Sequence, residues 1–145
     1  MILGGYHFLC FLLSALASFM FRSILFAVDQ SRETSHGVEL VRDLASRYQS
    51  QVTLLAVIPP DSGEDFQTLS ETLLDKVGQL LRSTGIPDPQ PRLEHGNVPF
   101  VICDVADELG VDLVVMGNRG LMSAGQQSVS HRVIDLAPCP VLIVP

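Results

Sequence analysis

Between Leu113 and Val144 the chain carries residues suited to cradling a phosphate. Leu113-Val114-Val115-Met116 reads as a buried strand, and Gly117-Asn118-Arg119-Gly120 follows it directly. Two glycines in a turn let bare backbone come close to a ligand. Asn118 adds a donor and Arg119 a positive charge. After a short polar loop, Ser128 and Ser130 open a helix. Its first N–H groups, those at Ser128 and Val129, lack intrahelical partners and aim at the same place. Each feature also has a plain reading. G-x-x-G fits a ligand-free strand exit, Arg119 a solvated loop residue, and the two serines ordinary N-caps.

Asp29 is the second candidate, at the end of the run Ile24 to Val28. In an open parallel sheet, ligands sit beyond the carboxyl ends of the strands, where the winding reverses. If the first and fourth strands are neighbours, Asp29 and Gly117 line one crevice. The Asp29 carboxylate would then accept from a ribose hydroxyl or an adenine amine. Alternatively, Asp29 or Ser31 caps the helix beginning near Arg32, with Glu33 favouring its positive end. The two roles are compatible.

Other chemistry finds less support. There is no G-x-x-x-x-G-K-[ST] loop, no G-x-G-x-x-G after the first strand and no G-x-S-x-G elbow. His131 and Arg132 read as surface residues, and His36 and His95 lack companions at metal spacing. No catalytic residue and no metal ligand is assigned. Cys10, Cys103 and Cys139 are odd in number and scattered, which points to a reducing compartment. Cys139, between Pro138 and Pro140, reads as a small buried apolar residue rather than a redox centre.

These residues must be held by alternating short apolar runs and longer amphipathic ones, the pattern of a parallel βα sheet. Strands are expected at Ile24–Val28, Gln51–Ile58, Pro91–Glu94, Val111–Met116 and Pro140–Val144. The prolines of the third suggest an edge. Helices are expected at Thr34–Tyr48, Phe66–Ser83, Val98–Leu109 and Gln127–Leu136. Val38, Val41, Leu44 and Ala45 mark the buried face of the first, and Leu69, Leu73, Val77, Leu80 and Leu81 that of the second. Gly110 should cap the third in a left-handed conformation. With 145 residues, the chain forms a single five-stranded α/β domain able to bury its own core. A formal net charge of -7, without clustered Lys and Arg, argues against a nucleic-acid partner.

Residues 1–19 have a different composition, with no Asp, Glu, Lys or Arg. Three readings compete. The first is a start upstream of the natural one, since Met20 leads straight into the first strand. The second is a membrane anchor, with Arg22 holding the domain on the cytoplasmic side. The third is a signal peptide with an Ala15-Leu16-Ala17 cleavage-like triplet but no positive leading region. The domain proper spans residues 20–145.

Four stretches together resemble the universal stress protein family. They are Ile24 to Asp29, Thr53 to Pro59, Gly96 through Leu109-Gly110-Val111-Asp112 to Gly117, and Ser128 to Val144. The resemblance implies a Rossmann-like sheet of the adenine nucleotide alpha hydrolase type, in the order 3-2-1-4-5. It also implies homodimerisation through the final strand, Pro140 to Val144. One branch of the family binds ATP. There the nucleotide meets the acidic residue after the first strand, here Asp29, and backbone near the end of the second, here Val57. It also meets the glycine turn, here Gly117 and Gly120, and its phosphates rest on a third glycine and a following hydroxyl residue. Here Gln127 stands where that glycine belongs, ahead of Ser128, and six residues separate it from Gly120 where the family pattern has nine. A Cβ at Gln127 and a shortened loop weaken the phosphate cradle.

The resemblance therefore implies a small cytoplasmic stress-response binding or signalling module. An adenine nucleotide such as ATP would tune it weakly, with Mg2+ only alongside ATP. The alternatives are a nucleotide hydrolase on the same fold and a membrane-tethered member held by residues 1–19.

Overall fold

The computed structural model describes residues 8–10, 12, 20–118 and 128–145. Arg119, Gly120 and Gln127 fall outside them, as does most of the 1–19 extension. Among the described residues, no helix is long and apolar enough to cross a membrane.

Five parallel strands form one sheet in the order β3-β2-β1-β4-β5. They are β1 (Ser23–Ala27), β2 (Gln51–Ile58), β3 (Gln90–His95), β4 (Leu113–Gly117) and β5 (Val141–Val144). The helices between them are α1 (Glu33–Tyr48), α2 (Glu64–Ser83), α3 (Val98–Leu109) and α4 (Val129–Leu136). The expected order holds, so β1 and β4 are neighbours. Phe26 lies opposite Val115 on β4 and Leu54 on β2.

Alternation along each strand divides the core into two layers. Ile24, Phe26, Leu54 and Val115 pack under α1 and α2 with Val41, Val77 and Leu81. Leu25, Leu55 and Val114 pack under α3 and α4 with Ile102, Ala106 and Val133. Burying each such side chain is worth about 1.5–3 kcal/mol, so both layers hold the central strands firmly.

Most boundaries agree with the pattern reading to within one or two residues. Val28 lies just past β1, although its N–H still donates to Leu55 O at 2.8 Å. Gly110 caps α3 with φ 59°, and the left-handed turn carries Val111 and Asp112 across to β4. Asp112 then closes the sheet bottom, accepting from Ser23 N at 3.0 Å.

Three expectations need correction. In α2 the buried face is Ser70, Leu74, Val77, Gly78 and Leu81, whereas Leu69 and Leu80 are 52% and 49% exposed. Small residues lie where the helix approaches the sheet, so the stripe turns away from the two outer leucines. At α1 neither Asp29 nor Ser31 is the N-cap. Arg32 holds that position without a side-chain bond. Cys139 is half-buried rather than buried, and burial still pushes its thiol and that of Cys103 above the usual range.

Candidate functional site

A cleft opens beyond the carboxyl ends of β1, β2 and β4. It brings together Asp29, Val57, Gly117 and Val129 from four separate elements. The parallel order explains the convergence. Strands running the same way end at the same edge, and α4 begins at that edge.

Asp29 is fixed by a tight turn. Its Oδ1 accepts from Ser31 N at 2.9 Å and from the Ser31 hydroxyl. The Thr34 hydroxyl donates to Asp29 O at 2.8 Å. This side-chain turn consumes Oδ1, which is why Asp29 does not reach the helix N–H groups. Among the described residues Oδ2 has no partner, so it remains for a ligand.

Gly117 ends β4, directly against that turn. A Cβ placed there would lie 2.8 Å from Glu33 Cβ. The absent side chain thus lets the start of α1 pack onto β4, so the close approach belongs to the protein itself. Asn118 follows on the exposed side, outside the cleft lining, with its N–H donating to Val144 O at 2.9 Å.

At α4, Ser128 is the N-cap, as expected, and its Oγ accepts from His131 N at 3.3 Å. The same oxygen lies 3.1 Å from Ser130 Oγ and 3.1 Å from His131 Nδ1. Its hydroxyl is therefore engaged within its own helix, and Ser128 sits beside the cleft rather than in its lining. Val129 does line it, at the positive end of the helix, where backbone N–H groups lack intrahelical partners.

The remaining wall comes from residues outside the site candidates read from the sequence. Phe66, Ser70 and Leu73 of α2 face Val98 and Ile102 of α3, with Leu55, Ala56 and Met116 between them. A stripe at Phe66, Ser70, Leu73 and Val77 has helical spacing, but reading it requires a serine on the apolar face. The space open to solvent molecules inside the cleft is about 60 Å³. That is room for a few waters and well below the roughly 300–1,000 Å³ of small-molecule sites. The chemistry of the lining suits a nucleoside, apolar along the walls with a carboxylate at the rim. Its present volume does not.

Comparison with known proteins agrees with this architecture. The universal stress protein family matches residues 20–145. A universal stress protein of Synechocystis sp. is 41% identical over 138 residues, covering 87% of each chain. A solved universal stress protein in complex with cAMP superposes with a TM-score of 0.73 at 22% identity, over 86% of this chain and 97% of its own. Another, from Archaeoglobus fulgidus in complex with dAMP, superposes at 0.69 with 20% identity, over 88% and 100%. Over residues 20–145 the fold and the sequence agree, and the chain belongs to the universal stress protein family.

Proposed function

We propose that this chain is a small cytoplasmic stress-response binding and signalling module. Its cleft takes an adenine nucleotide weakly, and it pairs with a second copy through β5. The convergence of Asp29, Val57, Gly117 and Val129 on one cleft carries the nucleotide reading. Asp29 Oδ2 accepts from a ribose hydroxyl or the adenine amine, the apolar walls hold the ring, and the start of α4 faces the phosphate. That two fold neighbours were solved with cAMP and dAMP supports an adenine ligand. Weak affinity follows from the narrow cleft, the engaged Ser128 hydroxyl and Gln127 in place of a glycine. Were ATP the ligand, Mg2+ would accompany it.

Binding is favoured over turnover because Asp29 is the only carboxylate among the described residues lining the cleft. Asp29→Asn tests both readings. The charged hydrogen bond it removes should weaken AMP or ATP binding about 10- to 100-fold. Unchanged affinity would remove Asp29 from the site. Magnesium-dependent ATP turnover that vanishes in this variant would instead favour a hydrolase.

The two sheet edges support the pairing. On β3, Arg92 bonds Glu94 and Glu108 at 2.7 Å each, covering that edge with charge. On β5, Val141, Leu142 and Ile143 are half-buried and apolar, an edge that otherwise invites aggregation. Leu142→Lys should shift sedimentation toward the monomer, and a dimer like that of the wild type would contradict pairing through β5. The cytoplasmic placement rests on Cys10, Cys103 and Cys139, all free thiols.

A further inference from the structure

Ser70 is the most unusual residue of the cleft. It is 5% exposed, yet among the described residues its hydroxyl makes no hydrogen bond. A helical serine ordinarily bonds back to a carbonyl one turn earlier, as the Thr72 hydroxyl does to Thr68 O at 2.8 Å. Ser70 instead turns its side chain into the cleft, where every other lining residue of α2 is apolar. Its oxygen is not sealed off, since no fully buried side-chain oxygen among the described residues lacks a partner, so the hydroxyl is open to a molecule in the cleft. One turn earlier, Phe66 lines the same cleft and is half-buried, so it stands at the rim in front of Ser70.

The cleft's other walls are fixed. The strands are fully paired in the sheet, and Ile102 of α3 is 2% exposed in the core. The front of α2 is not. It begins at Gly63 without a side-chain cap, and Glu64, Asp65, Gln67 and Thr68 are exposed. A side-chain tie joins it to the β1–α1 turn, Gln30 Nε2 donating to Leu69 O at 3.2 Å. Behind that tie lies an adjoining cleft of about 230 Å³, which shares Asp29, Gln30 and Leu73 with the first. Further open space therefore adjoins the narrow part at those three residues.

We propose that α2 is the base-reading wall of the site: the Ser70 hydroxyl bonds the ring edge of a purine nucleotide that enters by displacing Phe66. A hydroxyl both donates and accepts, so it can pair with a ring nitrogen or an exocyclic amine. The inference rests on the adenine-nucleotide reading and adds to it the residue that senses the base and the residue that restricts access.

The test is a titration of the full-length chain, followed by two-dimensional NMR, with AMP and separately with ribose 5-phosphate. Ser70→Ala should weaken AMP about three- to tenfold, the size of one hydrogen bond, and leave ribose 5-phosphate unchanged. Phe66→Ala should tighten AMP by about threefold or more, and Phe66→Leu should act in the same direction with less disturbance of folding. AMP binding that is equal in wild type and Ser70→Ala, or weaker in both Phe66 variants, overturns the inference while the nucleotide reading stands. If neither wild type nor the Phe66 variants bind millimolar AMP, the nucleotide reading fails and the inference with it.

Discussion

The two long walls of the cleft are built differently. On one side, the β1–α1 turn is locked by hydrogen bonds from Ser31 and Thr34 to Asp29. The start of α1 is also pressed against Gly117. On the other side, the front of α2 starts uncapped and reaches that turn through the Gln30–Leu69 bond. The first wall places the carboxylate, held by those contacts. The second carries Phe66, Ser70 and Leu73 into the pocket lining, while its first turn is otherwise exposed. On the proposed nucleotide reading, affinity depends as much on moving α2 as on contacts already in place, because opening the cleft subtracts from binding.

The sharpest way to break this contrast is at Gly117. Gly117→Ala sets a methyl against Glu33 Cβ, the base of a side chain rather than its flexible end, so backbone must shift. Overpacking of this kind costs about 1–3 kcal/mol, and thermal unfolding should show it. Stability equal to wild type would mean that the locked wall is softer than its contacts suggest.

Thr34→Val is a smaller test of the same wall. It keeps the side chain's shape but removes the hydroxyl that donates to Asp29 O and accepts from Asp29 N at 3.3 Å. A loss of about 1 kcal/mol in denaturant unfolding is expected. No loss would show that Ser31 alone holds the turn. The smallest effect belongs to the other wall. Gln30→Ala should leave global stability within about 0.5 kcal/mol of wild type, yet speed amide exchange at Phe66 to Ser70. Exchange there as slow as in wild type would mean that the front of α2 is held by packing.

Much of this molecule is legible in its sequence because parallel strands buried on both faces leave strong apolar runs. Gln51–Ile58 and Val98–Leu109 emerge with the expected bounds, and Gly110 adopts its left-handed cap. The phase of α2 was harder to read. Leucines at 69, 73, 74, 80 and 81 surround the helix, and hydrophobicity alone does not reveal that Ser70 and Gly78 are buried. Competition between hydrogen-bond partners was equally hidden. Nothing in the residue types says that Asp29 would spend Oδ1 on Ser31, or that the Ser128 hydroxyl would turn toward Ser130 and His131. Asp29, Val57, Gly117 and Val129 were reachable because strand order alone brings them to one edge. Ser70 and Phe66 were not, since their place depends on the rotation of a helix about its own axis.

One experiment bears on the whole reading. The full-length protein would be purified, its denatured supernatant analysed for adenine nucleotide, and the protein titrated with ATP and AMP by calorimetry. Co-purified nucleotide, or saturable binding at or below millimolar ligand, is the expected result. A clean supernatant with no heat of binding at millimolar ATP or AMP would contradict it, and leave the β5 edge as the functional surface of the domain.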